Sequence, residues 1–284
     1  METDRAEHVN YEEIAPTYNQ RYVANPLPQV AATLQALVRD LDPARSLEVG
    51  CGTGRWLTEL CWAGRHVFGL DLSPAMLSQA RPQLKPGPPD LACGRALRLP
   101  FPDRTFDLVY CVNALHHFGG PRAFVAEARR LLRPGGALAV VGMDPRRSRD
   151  TWFLYRYFKG TYAADRRRFP TPGELVDWMA AQGFERVEWR PAERILDPRV
   201  GRDIFKNSFL SKGGTSQLAL LSDEAFALGM RRIEAALAQA EAAGETVVFP
   251  VDILLTIVVG RLAGADTPAC AAQPGRADST DYTD

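Results

Sequence analysis

Leu47-Glu48-Val49-Gly50-Cys51-Gly52-Thr53-Gly54-Arg55-Trp56 is a buried-strand pattern that runs into three alternating glycines and then into a helix. Glycine at 50, 52 and 54 lets the backbone turn sharply after the strand and lets a ligand approach main-chain N–H groups without meeting a Cβ. The stretch reads as a nucleotide-type cofactor loop. It is not a dinucleotide fingerprint: G-x-G-x-x-G would need a glycine at 55 or 57, where the chain has Arg55 and Leu57. Nor is it a P-loop, because no Gly-Lys-Ser/Thr follows.

Three further segments keep company with it. Arg65-His66-Val67-Phe68-Gly69-Leu70-Asp71 is a strand pattern ending in an acid 21 residues after Gly50, and Ser73-Pro74-Ala75-Met76-Leu77 then opens a helix. Leu99-Pro100-Phe101-Pro102-Asp103-Arg104-Thr105-Phe106-Asp107-Leu108-Val109 follows, and later Leu131-Leu132-Arg133-Pro134-Gly135-Gly136. Together these four segments resemble, in order, the E-x-G-x-G-x-G loop, acid-ended second strand, LPF…FDLV element and LxPGG turn of the class I S-adenosylmethionine (SAM) dependent methyltransferases, in their ubiquinone-biosynthesis-like (type 11) branch.

The resemblance implies a Rossmann-like, doubly wound α/β fold with a seven-stranded, mostly parallel sheet whose last strand is antiparallel and inserted between its two predecessors. It implies SAM as cofactor and S-adenosylhomocysteine as product. Gly50, Cys51, Gly52 and Gly54 would form the cofactor loop, Asp71 would bind the ribose, and Leu72 and Met76 would take the two faces of the adenine. Glu48 would steer the methionine amino group from behind; a buried partner for a nearby arginine is the alternative. One departure is Arg95-Ala96, where relatives commonly carry Asp-Ala. Arginine cannot accept a hydrogen bond, so the adenine contact there is backbone-only or supplied elsewhere. Tyr11-Glu12-Glu13-Ile14-Ala15-Pro16-Thr17-Tyr18 is similar to the Y-x-x-x-A-x-x-Y lid of the same branch, split by Pro16. Tyr18 is its candidate cofactor contact, with a packed core tyrosine as the competing reading.

The resemblance also implies that the segment 111–118 at the end of the fourth strand lies nearest the reacting methyl, with Val112 and Asn113 as cofactor contacts and His116 and His117 following. A histidine there can take a proton from an attacking hydroxyl, because its pKa lies near neutrality; the other reading is that the pair caps the next helix or shapes the pocket. Six of the twelve residues 151–162 are aromatic, against 9% in the chain, so Trp152, Tyr155, Phe158 and Tyr162 are expected in an acceptor pocket. A core helix face explains them nearly as well. Arg146, Arg147 and Arg149, with Arg166, Arg167 and Arg168, could bind a carboxylate, a phosphate or a carrier, or be a solvated charge run.

Strand and helix patterns alternate from residue 29 to 143, with strands expected near 46–50, 66–71, 90–94, 106–112, 137–143, 185–190 and 251–260. The expected organisation is lid helices over 1–28 and a SAM-binding core over 29–143. An aromatic and basic insertion (144–170) is followed by a core helix and strand (171–194), a helical insertion (195–248), the final strand (249–263) and a disordered tail (264–284). The insertions are expected to form a substrate cap, since loops carry specificity on a rigid scaffold. Formal net charge is zero, with 34 basic and 34 acidic residues, which gives no global pull toward nucleic acid or an anionic membrane. The longest apolar run, Ile253 to Val259, is too short to span a bilayer, and no apolar leader follows Met1. A cytoplasmic location is the expectation, and the sequence leaves the oligomeric state open. The five cysteines form no C-x-x-C and have no clustered histidine, so neither disulfides nor a metal is expected. The functional reading is methyl transfer to a small, largely apolar organic acceptor at oxygen. Its rivals are a SAM-fold protein that binds without methylating and, behind that, an RNA methyltransferase.

Overall fold

The computed structural model describes residues 9–60, 65–84 and 90–264. The cysteines at 61 and 270 and the tail beyond Gly264 lie outside the described residues. In chain order the strands are β1 (Arg45–Val49), β2 (His66–Asp71), β3 (Asp90–Cys93), β4 (Phe106–Val112), β5 (Leu132–Met143), β6 (Phe184–Leu196), β7 (Arg199–Val200), β8 (Val248–Phe249) and β9 (Asp252–Leu262). All but β7 and β8 join one sheet in the order β3-β2-β1-β4-β5-β9-β6. Strands β1 to β5 pair in parallel, while β9 runs antiparallel between β5 and β6, as expected.

Alternation along the central strands builds two cores, because successive side chains point to opposite faces. Leu108, Tyr110 and Val112 of β4 join one buried cluster with Ala137, Ala139 and Val141 of β5; Val109, Cys111, Leu138 and Val140 join the other. The helices are α1 (Tyr11–Ile14), α2 (Gln20–Ala24), α3 (Pro28–Leu41), α4 (Arg55–Leu60), α5 (Pro74–Ala80), α6 (Pro121–Leu131), α7 (Phe153–Tyr157), α8 (Thr161–Arg168), α9 (Pro172–Ala181), α10 (Ser216–Ala219) and α11 (Asp223–Ala243). The first cluster is covered by α3, α4 and α5, the second by α6 and α9. In α3 the residues at helical spacing, Val30, Leu34, Leu37 and Val38, are the buried ones. Thr171 and Glu174 form a capping box, with both reciprocal bonds made at the start of α9.

The strand order reverses between β1 and β4. In an open α/β sheet this switch point leaves a crevice at the carboxyl ends of the strands, because the flanking connections leave toward opposite faces. The glycine loop after β1 and the turn after β4 are the walls of that crevice. The LPF segment is pinned beside it by α6: Glu127 accepts from the Leu99 N–H at 2.7 Å, and Arg130 donates to the carbonyls of Leu99 and Phe101 at 3.1 and 2.9 Å.

Strand β6 extends past the expected 190 to Leu196, and β5 begins at Leu132, so the proline–glycine turn lies within the strand. The two insertions pack on one another. Phe158 stacks on Phe226 of α11 with centroids 5.7 Å apart, and Phe249 of β8 meets Phe153 and Tyr157. A Cβ added to Gly229 in α11 would lie 2.1 Å from the Phe158 ring, which is 1% exposed. Helix propensity alone favours alanine over glycine by about 1 kcal/mol, but overpacking a buried ring costs about 1–3 kcal/mol. Gly229→Ala is therefore expected to destabilise the fold, and a denaturation midpoint at or above the parent's would contradict this packing.

Candidate active site

All three loop glycines lie in the left-handed region, with φ of +74° at Gly50, +54° at Gly52 and +80° at Gly54. The loop is tied to β2 by the N–H groups of Gly50 and Cys51, which donate to the Leu70 carbonyl at 2.7 and 3.0 Å. Its next N–H, at Gly52, donates to Asp71 Oδ2 at 2.8 Å, while Ser73 N–H donates to Oδ1 at 2.9 Å. An ionised carboxylate offers about four lone-pair sites, so each oxygen of Asp71 keeps capacity for a ligand hydroxyl. Burial pushes the Asp71 carboxyl up, and the N–H bonds from Ser73, Gly52 and Leu72 pull against it.

Above the loop lies a cavity of about 240 Å³. Every residue expected to hold the cofactor lines it except Glu48 and Gly54. Gly54 is a packing position, where a Cβ would come within 3.2 Å of Ala80 on α5. Glu48 is fully buried behind the loop; Tyr110 donates to its Oε2 at 3.4 Å, and its Oε1 has no partner. Among the described residues no arginine pairs with it, which removes the alternative reading. Burial pushes its pKa well up, with only the Tyr110 bond opposing. Arg95, exposed, and Ala96, buried, both line the cavity.

The lid closes over this loop. Thr53 donates its hydroxyl to Asn19 Oδ1 at 2.5 Å. Tyr18 comes within 3.8 Å of where a Gly52 Cβ would stand. Tyr11, Tyr22 and Trp56 also line the cavity, none of them assigned from sequence. For Tyr11 a signal existed, since it is the first tyrosine of the lid pattern.

A second cavity of about 130 Å³ adjoins the first and shares Tyr11, Tyr18, Tyr22, Asn113 and His117 with it. Its walls combine Trp152, Phe169, Phe209 and Ile253 with the polar residues Asn25, Thr215, Ser216 and Gln217 and the charged Arg21. Asn113 enters both cavities from the end of β4 with φ +50°, a conformation asparagine tolerates better than most residues. His117 stands at the boundary, its Nε2 2.6 Å from the Tyr11 hydroxyl. His116 lines only the second of these two cavities, stacks on Phe169 at 3.8 Å and lies 3.5 Å from Ser216 Oγ through Nε2. Burial pulls the His116 pKa well down, helped by His117 and Arg168, so His116 stays neutral at physiological pH. Of the four aromatics expected in an acceptor pocket, only Trp152 lines this cavity. Phe158 is in the core of the cap, Tyr155 donates to Asp165 at 2.7 Å, and Tyr162 packs on Tyr155 with Arg149 and Arg166 over its ring.

Residues 47–140 match the family model described as methyltransferase domain. The demethylmenaquinone methyltransferase of Thermus thermophilus is 31% identical over 202 residues, which cover 61% of this chain and 90% of that one. The chain belongs to the class I SAM-dependent methyltransferases. The demethylmenaquinone methyltransferase of Deinococcus radiodurans is 34% identical over 54% of this chain and 72% of its own. Among solved structures, a SAM-dependent methyltransferase of Thermotoga maritima shares the methyltransferase's fold with a TM-score of 0.54 at 20% identity, over 88% of this chain and 97% of that one. The cyclase SpnF shares it too, with a TM-score of 0.51 at 19% identity over 91% and 98% of the two chains. Fold alone therefore does not fix the chemistry; the methyltransferase assignment comes from the family model and the relatives at 30% identity and above.

The residues present fit SAM. Asp71 retains acceptor capacity for a ribose, and Glu48 Oε1, behind the loop and outside the cavity lining, is a buried oxygen without a partner. A Cβ at Gly52 would meet nothing but Tyr18, so the glycine borders ligand space. Asp71→Asn keeps one acceptor oxygen and should weaken SAM binding about tenfold. Asp71→Ala also strands the Gly52 and Ser73 N–H groups and should approach a hundredfold, since hydrogen bonds to charged groups contribute about 1.5–3 kcal/mol. Calorimetry on the folded variants decides it, and an unchanged dissociation constant in Asp71→Ala would remove the ribose role.

Proposed function

We propose that the enzyme methylates a ring hydroxyl of a small, largely apolar organic acceptor bound in the second cavity, with His117 receiving the hydroxyl proton through Tyr11. The observation that carries this reading is the Tyr11–His117 bond at the boundary of the two cavities. Burial raises the Tyr11 pKa, so its phenol stays protonated, and in the His117 tautomer with an unprotonated Nε2 it donates to that nitrogen. The Nε2 lone pair is then engaged by the phenol. The phenol oxygen keeps lone pairs of its own and can accept the acceptor's proton as it passes its proton to Nε2, which leaves an imidazolium and a protonated Tyr11.

When bound, SAM supplies a methyl group on a sulfonium; the Gly50–Gly52 backbone and Asp71 would hold it, with Glu48 acting from behind the loop. Asn113 and Tyr18, common to both cavities, would align the acceptor, and such positioning is the main source of rate for a displacement between two bound reactants. The lid joined to the loop through Thr53 and Asn19 would exclude water. Apolar walls with a few placed polar groups suit a planar ring, and the name demethylmenaquinone methyltransferase carried by relatives supports a ring acceptor of quinone or quinol type.

The test is S-adenosylhomocysteine release over a panel of quinols, phenols, amines and thiols, with the methylated atom located by NMR, beside RNA at two ionic strengths. Methyl ethers of ring hydroxyls are expected. Products methylated only at nitrogen or carbon would overturn the oxygen assignment. Labelling confined to RNA and steeply salt-dependent would overturn the small-molecule reading altogether.

A further inference from the structure

A third cavity, of about 410 Å³, lies on the far side of the histidine turn between α8, α10 and the segment Gly119–Pro121. His116, His117 and Gln217 line both it and the acceptor cavity, so the two share one wall. Its charged lining is one-sided: Lys159, Arg167 and Arg168 against a single acid, Asp165. That acid is already engaged. It is fully buried and accepts from Arg168 Nη2 at 2.5 Å, Tyr155 Oη at 2.7 Å and Gln217 Nε2 at 2.6 Å.

The cations are less well served. Among the described residues no acid pairs with Lys159 or Arg167. Arg168 uses Nη2 alone, while its Nε and Nη1 are shielded from solvent with no hydrogen-bond partner. Shielded donors of a charged group without acceptors are costly, and a structure holds them most cheaply where a ligand supplies the acceptors. Nη2 belongs to both of a guanidinium's forks and is held by Asp165, so Nε and Nη1 would each take a separate oxygen of a carboxylate or phosphate. Lys159 and Arg167 are exposed, and what an ordinary solvated basic stretch would not show is the pair of shielded Arg168 nitrogens beside them. The other basic candidates do behave as one: Arg146 pairs with Asp144, and Arg147 lies over Trp189.

We infer that this chamber binds an oxyanion, a carboxylate or phosphate carried as an arm on the methyl acceptor, through Lys159, Arg167 and Arg168. The inference deepens the proposed function and rests on it for the word acceptor: the ring would lie beside His117 and the arm would pass His116 into the chamber.

Two measurements on the full chain loaded with S-adenosylhomocysteine test it separately. The first follows binding of inorganic phosphate by calorimetry. The parent should bind saturably, and the charge-reversed K159E/R167E variant should bind at least tenfold more weakly while its affinity for S-adenosylhomocysteine is unchanged. The second compares pairs of phenols that differ only by a carboxylate or phosphate arm. The arm should lower KM at least tenfold in the parent, and this advantage should shrink to within twofold in K159E/R167E. Equal KM values in the parent, or a preference that survives charge reversal, would overturn the inference. Phosphate binding without any advantage to the armed phenols would assign the chamber to a free anion and overturn the acceptor arm. If no phenol is methylated, the oxygen reading fails, while the phosphate titration still decides whether the chamber holds an oxyanion.

Discussion

Alanine in place of His117 is expected to lower turnover about 10²–10⁴-fold, the range for losing a positioned general base, while SAM still binds. Tyr11→Phe should fall in the same range, because it removes the hydroxyl that joins the acceptor to His117 Nε2. The double variant should be no worse than the poorer single one, since the two groups act as one proton path. His116→Ala should do less: its ring stacks on Phe169 and does not line the cofactor cavity. Stopped assays with saturating quinol or phenol separate kcat from KM. Turnover within twofold of the parent in His117→Ala and in Tyr11→Phe would leave proximity as the mechanism and remove the proton relay.

The core was legible because its signals are local. Glycine at alternate positions after an apolar strand, an acid at the end of the next, and side chains alternating along β4 and β5 all lie within a few residues of one another. Strand β6 was read short for a physical reason. Its side chains are mostly exposed, and it contains Pro191, which a strand tolerates at a sheet edge where its missing N–H is not needed. Edge strands carry little of the alternation that reveals central ones.

What failed was long-range. The Tyr11 to His117 bond spans 106 positions, and Glu193 of β6 accepts from the first N–H groups of α3 across 164 and 163. No window of sequence contains either pair. The aromatics of 151–162 were read as a pocket because their density is visible and their partners are not. Phe226 of the second insertion and Phe249, just after its end, turn Phe158 and Phe153 into the interior of the cap. The basic residues divided similarly: Arg168 became informative only once Asp165, Gln217 and the chamber were seen around it.

Gly52→Val is expected to weaken SAM binding more than about a hundredfold, a loss of at least roughly 2.7 kcal/mol. Two effects act at this position and they are separable. The first is steric: the glycine borders the cofactor cavity, and the branches of valine would enter it while Gly52 N–H still holds Asp71. The second is conformational. At φ +54° a β-branched side chain is strained by about 1–2 kcal/mol, which a fold of ordinary stability, about 5–15 kcal/mol, survives. Gly244→Val is the control. Gly244 closes α11 at φ +68° with nothing within 4 Å of an added Cβ, so it carries similar strain far from the loop. Both variants should lose similar thermal stability, and only Gly52→Val should lose SAM. Full SAM affinity in Gly52→Val would mean that the cofactor does not lie against this loop, and equal loss in both would trace the effect to strain rather than to occupied ligand space.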